Sequence, residues 1–460
     1  MTVERKYKDI PSDPPEELPP TSEKCFKGNE VLKWKVYKRR WLILLIYVLF
    51  CIVSTSQWTQ YAIINNVVIR YYNVDSIYVD WTAIIYMAIY VPAIIPALMF
   101  LEKKGLRWAI FLGALGTALG SWIKAVSVAP DRFWVTFTGQ TFVAISQVFL
   151  LSIPPRLAAV WFGSNQVSTA CSIGVFGNQL GMAAGFLLPP MFVKNHANIE
   201  DIGSDLSFMF NCTAGVCTFL LILVVAFFQA APPLPPSPEQ ALKVQDASRK
   251  EGFFSGVKRL LENRGFILLL FTYGLAVAVI NSLCTLLNQL ILTYFPGGEE
   301  FAGQVGLVFV AGGMVGSVIF GIILDKTHKF KETTVIIYGF AALGMLAFTL
   351  TLGLGSRILV YGTSTFVGCF LGGYMPVGFE LGSEITYPEP EGTTAGIVIL
   401  ATQILSVFHA MAYTWMIGVI GDLWANIILT VTLLIGTGLT AMIPSDLRRQ
   451  EAHKKNVLYF

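Results

Sequence analysis

Apolar residues along this chain come in long blocks, rather than in the alternation of a strand or the single stripe of a soluble helix. Twelve such blocks can be drawn, at roughly 41–66, 80–101, 108–128, 132–153, 166–190, 207–229, 266–293, 303–324, 333–353, 357–379, 393–419 and 423–443. A helix rises about 1.5 Å per residue, so about 20 apolar residues cross a hydrocarbon core of about 30 Å. The pattern therefore predicts an all-α integral membrane protein with twelve transmembrane helices. Composition agrees, with 54% hydrophobic and 13% charged residues, where soluble domains carry about 25% charge. Residues 1–40 are polar, charged and proline-bearing, so the first block is expected to be a retained span and not a cleaved signal peptide.

Charge placement orients the blocks. With both termini cytoplasmic, 27 of the 32 Lys and Arg residues fall on the cytoplasmic side. Only Arg70, Arg132, Lys194 and Arg357 fall outside, and Lys124 lies near the outer end of the third block. The positive-inside rule prefers this arrangement.

The longest polar interruption divides the chain. Ala230–Pro238 reads AAPPLPPSP, a stiff extended exit. Glu251–Arg264 reads EGFFSGVKRLLENR, an expected amphipathic helix on the membrane surface. The division gives a cytoplasmic tail (1–40), a six-helix bundle (41–229), a central loop (230–265), a second six-helix bundle (266–443) and a C-terminal tail (444–460). The halves echo each other. LEKKGLR (Leu101–Arg107) corresponds to GIILDKTHKFK (Gly321–Lys331), and RLAAVWFGSNQVSTA (Arg156–Ala170) to ELGSEITYPEPEGTTA (Glu380–Ala395). Six spans repeated within twelve is the mark of a transporter built from two related halves.

Few ionisable residues lie within the blocks. Lys124 is near enough to the surface to snorkel, and His409 is read as a hydrogen-bonded packing residue. No Asp or Glu lies mid-span, which speaks against a carboxylate as obligatory proton or sodium carrier. The seven cysteines show no metal-type spacing, so neither a disulfide framework, a metal site nor a cofactor is expected. No Ser/His/Asp set and no paired carboxylates stand on facing helices, so the chain is not read as an enzyme. The sequon Asn211-Cys-Thr abuts a span and is a poor glycosylation candidate.

Amides and aromatics are what the blocks do contain. Gln57, Gln60, Tyr61 and Asn65 share one face of the first span. Gln140 and Gln147 lie in the fourth, Asn281, Asn288 and Gln289 in the seventh, and Gln403 in the eleventh. Any one of them is ordinarily an interhelical hydrogen bond, worth about 0.6 kcal/mol. Spread over several spans, they point to a wet central cavity lined by neutral groups.

The stretch GVFGNQLG (Gly174–Gly181) can be resolved by angle. Gly174, Gly177, Gly181 and Gly185 fall within about 80° of one another and form a stripe for close helix packing. Asn178 lies near that stripe and should hydrogen-bond a neighbouring helix. Gln179 is turned about 140° from Gly174, toward the expected cavity. In the repeat, Gln179 follows Ala170 by nine residues and Gln403 follows Ala395 by eight, so the two glutamines should face each other. At the loops, Asp325 ends a span with Lys326 beside it, and Arg156 and Glu380 hold matched places with opposite charge. These four, with Glu384, are candidates for a cytoplasmic gate; the alternative is solvated loop charge. Trp81 opens the second span after Asp80, which by position alone is an interfacial tryptophan.

GIILDK resembles the cytoplasmic loop motif of the major facilitator superfamily. More narrowly, SQWTQYAIINNV (Ser56–Val67), VDWTAIIYMAIYVP (Val79–Pro92), WFGSNQVSTACSIGVFGNQLG (Trp161–Gly181), TLLNQLILTYF (Thr285–Phe295), GFELGSEITYPEPEGT (Gly378–Thr393) and IPSDLRR (Ile443–Arg449) resemble the feline leukaemia virus subgroup C receptor family, solute carrier family 49. The likeness runs over residues 37–449 and is strongest to the choline-transporting members, which have also been linked to haem. It implies facilitated movement of choline and ethanolamine; the two related, pseudo-symmetric six-helix halves predict alternating access, and the lack of a mid-span acid predicts uniport. The likeness further implies a substrate site made of an aromatic box flanked by two glutamines, here assigned to Trp81, Gln179 and Gln403. Gln57 and Tyr61 are added from the polar face of the first span. The family's seventh-span tyrosine is replaced by Asn281. A quaternary ammonium cannot donate a hydrogen bond and relies on aromatic faces; Asn281 could instead accept from a primary ammonium, and Phe176 could supply a substitute face. Haem is the alternative cargo, although its propionates would want Arg or Lys. A non-transporting membrane receptor is the other. The implied setting is a multi-pass monomer in the lipid bilayer of the plasma membrane, with the endoplasmic reticulum or a mitochondrial membrane as alternatives and no nucleic-acid partner.

Overall fold

A computed structural model of the chain describes residues 24–27, 30–33, 35–151, 153–163, 166–236, 253–327, 329–387 and 391–444. Twelve helices in it are long and apolar enough to cross a membrane: Arg39–Tyr72, Ser76–Leu101, Leu106–Ala125, Phe133–Leu151, Thr169–Phe192, Ile199–Phe227, Arg264–Tyr294, Glu299–Leu324, Phe330–Leu352, Arg357–Thr386, Thr394–Ile420 and Asp422–Ala441. They are numbered first to twelfth below. In hydrocarbon each backbone group must be paired inside its own segment, so continuous apolar blocks become helices. An even number of crossings leaves both ends of the spanning region on one face. That face is called the termini end, and the other the far end.

Three helix boundaries differ from the hydrophobic pattern. The sixth span begins at Ile199, with Glu200 and Asp201 in its first turn. These charges suit the positive end of the helix dipole, so the polar turn is helical although it is not apolar. The tenth span continues through polar residues to Thr386, since a helix can project beyond the hydrocarbon. The first span is not one continuous helix. A helix Arg39–Thr59 gives way to a 3₁₀ turn at Ala62–Ile64 and resumes at Asn65–Tyr72.

Outside the spans, the central loop holds the expected amphipathic helix as Phe253–Glu262. Asn263 then caps the seventh span, its Oδ1 accepting from the Gly265 and Phe266 amides at 3.0 and 3.3 Å. One exception to the all-helical reading precedes the first span, where Lys24–Lys27 pairs antiparallel with Glu30–Lys33. Four residues per strand are too few to register as a hydrophobic pattern.

The spans gather into two six-helix bundles. Close packing depends on glycine where backbones cross. The stripe read from the sequence lies against the first span: a Cβ at Gly181 would stand 2.7 Å from the Ile52 carbonyl oxygen, and one at Gly185 2.5 Å from that of Ser56. The eighth and tenth spans cross more tightly still. A Cβ at Gly316 would sit 1.9 Å from the Cys369 carbonyl oxygen, and one at Gly368 1.9 Å from that of Phe309. These positions have no tolerance for a side chain. Gly316→Val is therefore expected to lower the melting temperature of the detergent-purified protein by about 1–3 °C, from an overpacking cost of about 1–3 kcal/mol spread over the unfolding entropy of a chain of this length. Gly362→Ala, at a position open on all sides, should leave it unchanged. Equal melting of both variants with wild type would show that the crossing is looser than described.

Candidate functional site

A cavity of 310 Å³ lies between the bundles, lined by residues of the first, second, fourth, fifth, seventh, tenth and eleventh spans. Its volume falls in the range of small-molecule sites. It runs from mid-membrane at Trp58, Tyr86 and Gln403 toward the termini end at Leu151, Pro154 and Phe379.

Five aromatic residues line it: Trp58, Tyr86, Tyr90, Tyr273 and Phe379. Five amides join them: Gln147, Asn178, Gln179, Asn281 and Gln403. No charged side chain is among the lining residues. The amides divide by how they are bonded. Gln147 is satisfied by the first span, accepting from Ser54 at 2.8 Å and donating to Thr55 at 3.0 Å. Asn178 accepts from Thr55 at 2.9 Å, the neighbour bond expected of it. Asn281 donates to Ser406 at 2.9 Å. Gln179 makes no hydrogen bond among the described residues, and the Oε1 of Gln403 is buried without a partner. A buried acceptor left empty costs about 1–3 kcal/mol. Gln403 thus has an empty buried acceptor and Gln179 a half-buried, unbonded amide on the cavity wall.

The structure brings together Gln179, Gln403 and Asn281 but not the rest of the expected site. Trp81 is half-buried on the first turns of the second span and does not line the cavity. Trp58 lines the cavity instead, its indole nitrogen donating to the Ala83 carbonyl at 3.2 Å. A signal for it existed. Trp58 lies deep within its span, away from the interfacial belt, whereas Trp81 lies where interfacial tryptophans are ordinary. Phe176 is 44% exposed and is not among the residues that line the cavity. Gln57 and Tyr61 are wholly buried inside the first bundle, not at the cavity. Gln57 accepts from Ser121 at 3.1 Å and from Lys124 at 2.5 Å. Tyr61 is hydrogen-bonded to Thr136, its ring 5.8 Å from that of Phe210. Lys124 does not snorkel; it is 1% exposed and points into the same bundle. His409 packs as expected, with Nδ1 2.7 Å from the Ser282 hydroxyl.

The far end is sealed by polar contacts that cross between the bundles, none of which the sequence pattern identified. Asp80 is fully buried and accepts from Asn65 at 3.0 Å and from Gln289 of the other bundle at 2.6 Å. Asn288 donates to the Ile63 carbonyl at 2.7 Å, at the break of the first span. Glu299 accepts from Asn66 at 2.8 Å and from Asn195 at 3.2 Å. Lys194 is ion-paired with Glu300. The fifth and eighth spans close behind these, with Gly306 against the Phe186 ring.

The residues expected to form a gate stand at the opposite, termini end. There Arg156 is half-buried, Glu384 buried, and Glu380 and Lys326 exposed. The side chain of Asp325 lies outside the described residues. Among the described residues, no group of three His, Cys, Asp or Glu side chains is placed to hold a metal ion.

Comparison with known proteins agrees with this architecture. The profile of the Major Facilitator Superfamily matches residues 46–410. The choline/ethanolamine transporter flvcr2a of Danio rerio is 44% identical over 427 residues, covering 93% of this chain and 91% of that protein. A Caenorhabditis elegans protein named as an uncharacterized MFS-type transporter, C09D4.1, is 46% identical over 92% of this chain and 72% of its own length. Among solved structures, a bacterial homologue of the human lysosomal transporter spinster superposes with a TM-score of 0.70 at 13% identity, covering 90% of this chain and 98% of that one. At that identity the likeness concerns the fold alone. The chain thus belongs to the major facilitator superfamily of membrane transporters and, within it, to the feline leukaemia virus subgroup C receptor family.

Proposed function

We propose that this protein moves choline and ethanolamine across a membrane by facilitated, alternating-access uniport. The observation that carries the reading is the cavity lined by five aromatic residues, five amides and no charge. A small organic cation is held there by ring faces, each worth about 0.5–2 kcal/mol, with its hydroxyl or ammonium protons completed by Gln179 and Gln403. Relatives named as choline/ethanolamine transporters support the same substrate class. Haem fits poorly, because its two propionates would find no cationic side chain in the lining.

In this reading the excess of Lys and Arg places both termini in the cytoplasm. The sealed far end is then extracellular and the structure is the inward-facing state. Arg156, Glu380 and Glu384, with Asp325 and Lys326, close the cytoplasmic end when the outer seal releases. The protein acts as a monomer in the plasma membrane. The aromatic platform is Trp58.

The reading is tested by uptake of radiolabelled choline and ethanolamine in cells lacking their own transporters. Uptake is expected to saturate, to follow membrane potential and to persist when sodium is replaced. Uptake that collapses without sodium at constant potential would contradict uniport. In the same assay Trp58→Ala is expected to lower choline uptake at least about tenfold at normal surface levels, the loss of one strong ring face. Trp81→Ala should keep most of it. The reverse pattern would return the platform to Trp81.

A further inference from the structure

Lys124 is buried in the first bundle at 1% exposure. Among the described residues no carboxylate pairs with it. Its ammonium donates to Gln57 Oε1 at 2.5 Å and to Gln140 Oε1 at 3.1 Å, and it stands 5.8 Å from the centre of the Tyr61 ring. A cation kept inside a membrane bundle without a counter-ion is a functional suspect. Packing alone would be served by an apolar residue of the same length, since replacing buried charge by a hydrophobe is often neutral or stabilising.

What this ammonium does follows from its chemistry. It can only donate, so both glutamines must turn their oxygens toward it. The amide nitrogen of Gln140 is thereby turned away, toward the backbone. It donates to the Gln57 carbonyl at 2.7 Å and to the Thr82 carbonyl at 3.3 Å. The Gln57 carbonyl belongs to the peptide that joins Gln57 to Trp58. The next carbonyl of the second span, Ala83, receives the Trp58 indole N–H at 3.2 Å. One glutamine thus ties the first span to the second at the two peptides that flank the seat of the cavity tryptophan.

We propose that Lys124 is a positioning residue for substrate binding: it orients Gln140, which staples the Gln57–Trp58 peptide to the second span and so sets the Trp58 ring against the cavity. The proposal rests on the choline/ethanolamine reading of that cavity. It assigns to Lys124 no contact with the substrate.

Two variants test it in the full-length chain. Lys124→Met removes the orienting donor. Gln140→Glu keeps the lysine paired, which protects folding, but a carboxylate cannot donate to the two carbonyls. Each is expected to reach the membrane, to raise the KM for choline about tenfold and to leave Vmax within about twofold, as lost uniform binding does. In the purified proteins, hydrogen exchange over residues 55–62 should speed up while residues 264–294 keep their wild-type rates. A wild-type KM in Gln140→Glu overturns the proposal, whether or not exchange is faster, and so does a fall in Vmax at unchanged KM. Should Lys124→Met fail to fold, Gln140→Glu decides alone. Should wild type carry neither choline nor ethanolamine, the substrate reading has failed, while the exchange rates still decide whether the staple exists.

Discussion

A hydrocarbon core supplies no hydrogen bonds, so every polar group within it must find a partner in the protein or mark a place where something else belongs. The first span shows the consequence most fully. Its helix stops at Thr59 and resumes at Asn65, and carbonyls on either side of the break become attachment points. Gln140 takes that of Gln57 from within the first bundle. Asn288 takes that of Ile63 from the second. Six positions along the chain thus separate the seat of the cavity tryptophan from the seal at the far end. A change at Trp58 and an opening of the seal act on the same short piece of chain.

The same constraint explains the character of the cavity. A fixed carboxylate would hold a cation strongly in a low dielectric and release it slowly. Ring faces and amide oxygens attract it without that penalty. Apart from Lys124, enclosed in the first bundle and not at the cavity, charge is kept to the ends: Asp80, Lys194, Glu299 and Glu300 at the far end, and Arg156, Glu380 and Glu384 at the other. Asp80 makes the distinction plain. Its carboxylate is bonded by two neutral amides, one from each bundle, and it does not reach the cavity.

Much of the fold was legible because it follows from length and period. Twelve blocks gave twelve spans, and the spacing of Gly174, Gly177, Gly181 and Gly185 gave the face that meets the first span. Gln179 and Gln403 were legible for a related reason, since matched positions in repeated halves converge on the axis between them. Angle alone failed elsewhere. A polar face within a membrane bundle can look toward the cavity or toward a neighbouring helix of its own bundle. Gln57 and Tyr61 do the second, because Lys124 turns inward to meet them. Phe176 lies within one turn of Gln179, yet it does not line the cavity. The resemblance was carried to Trp81, whereas Trp58 is the tryptophan that lines the cavity, and depth in the span separates the two. The seal escaped notice because its contacts between the bundles join residues more than 100 positions apart.

The most direct measurement is a cryo-electron structure of the protein in lipid nanodiscs at saturating choline. Density for the ammonium group packed against the Trp58 ring, within hydrogen-bond reach of Gln179 and Gln403, is the expected result. An empty cavity at saturation, or choline seated beside Trp81, would contradict the assignment of this uncharged cavity as the transport site.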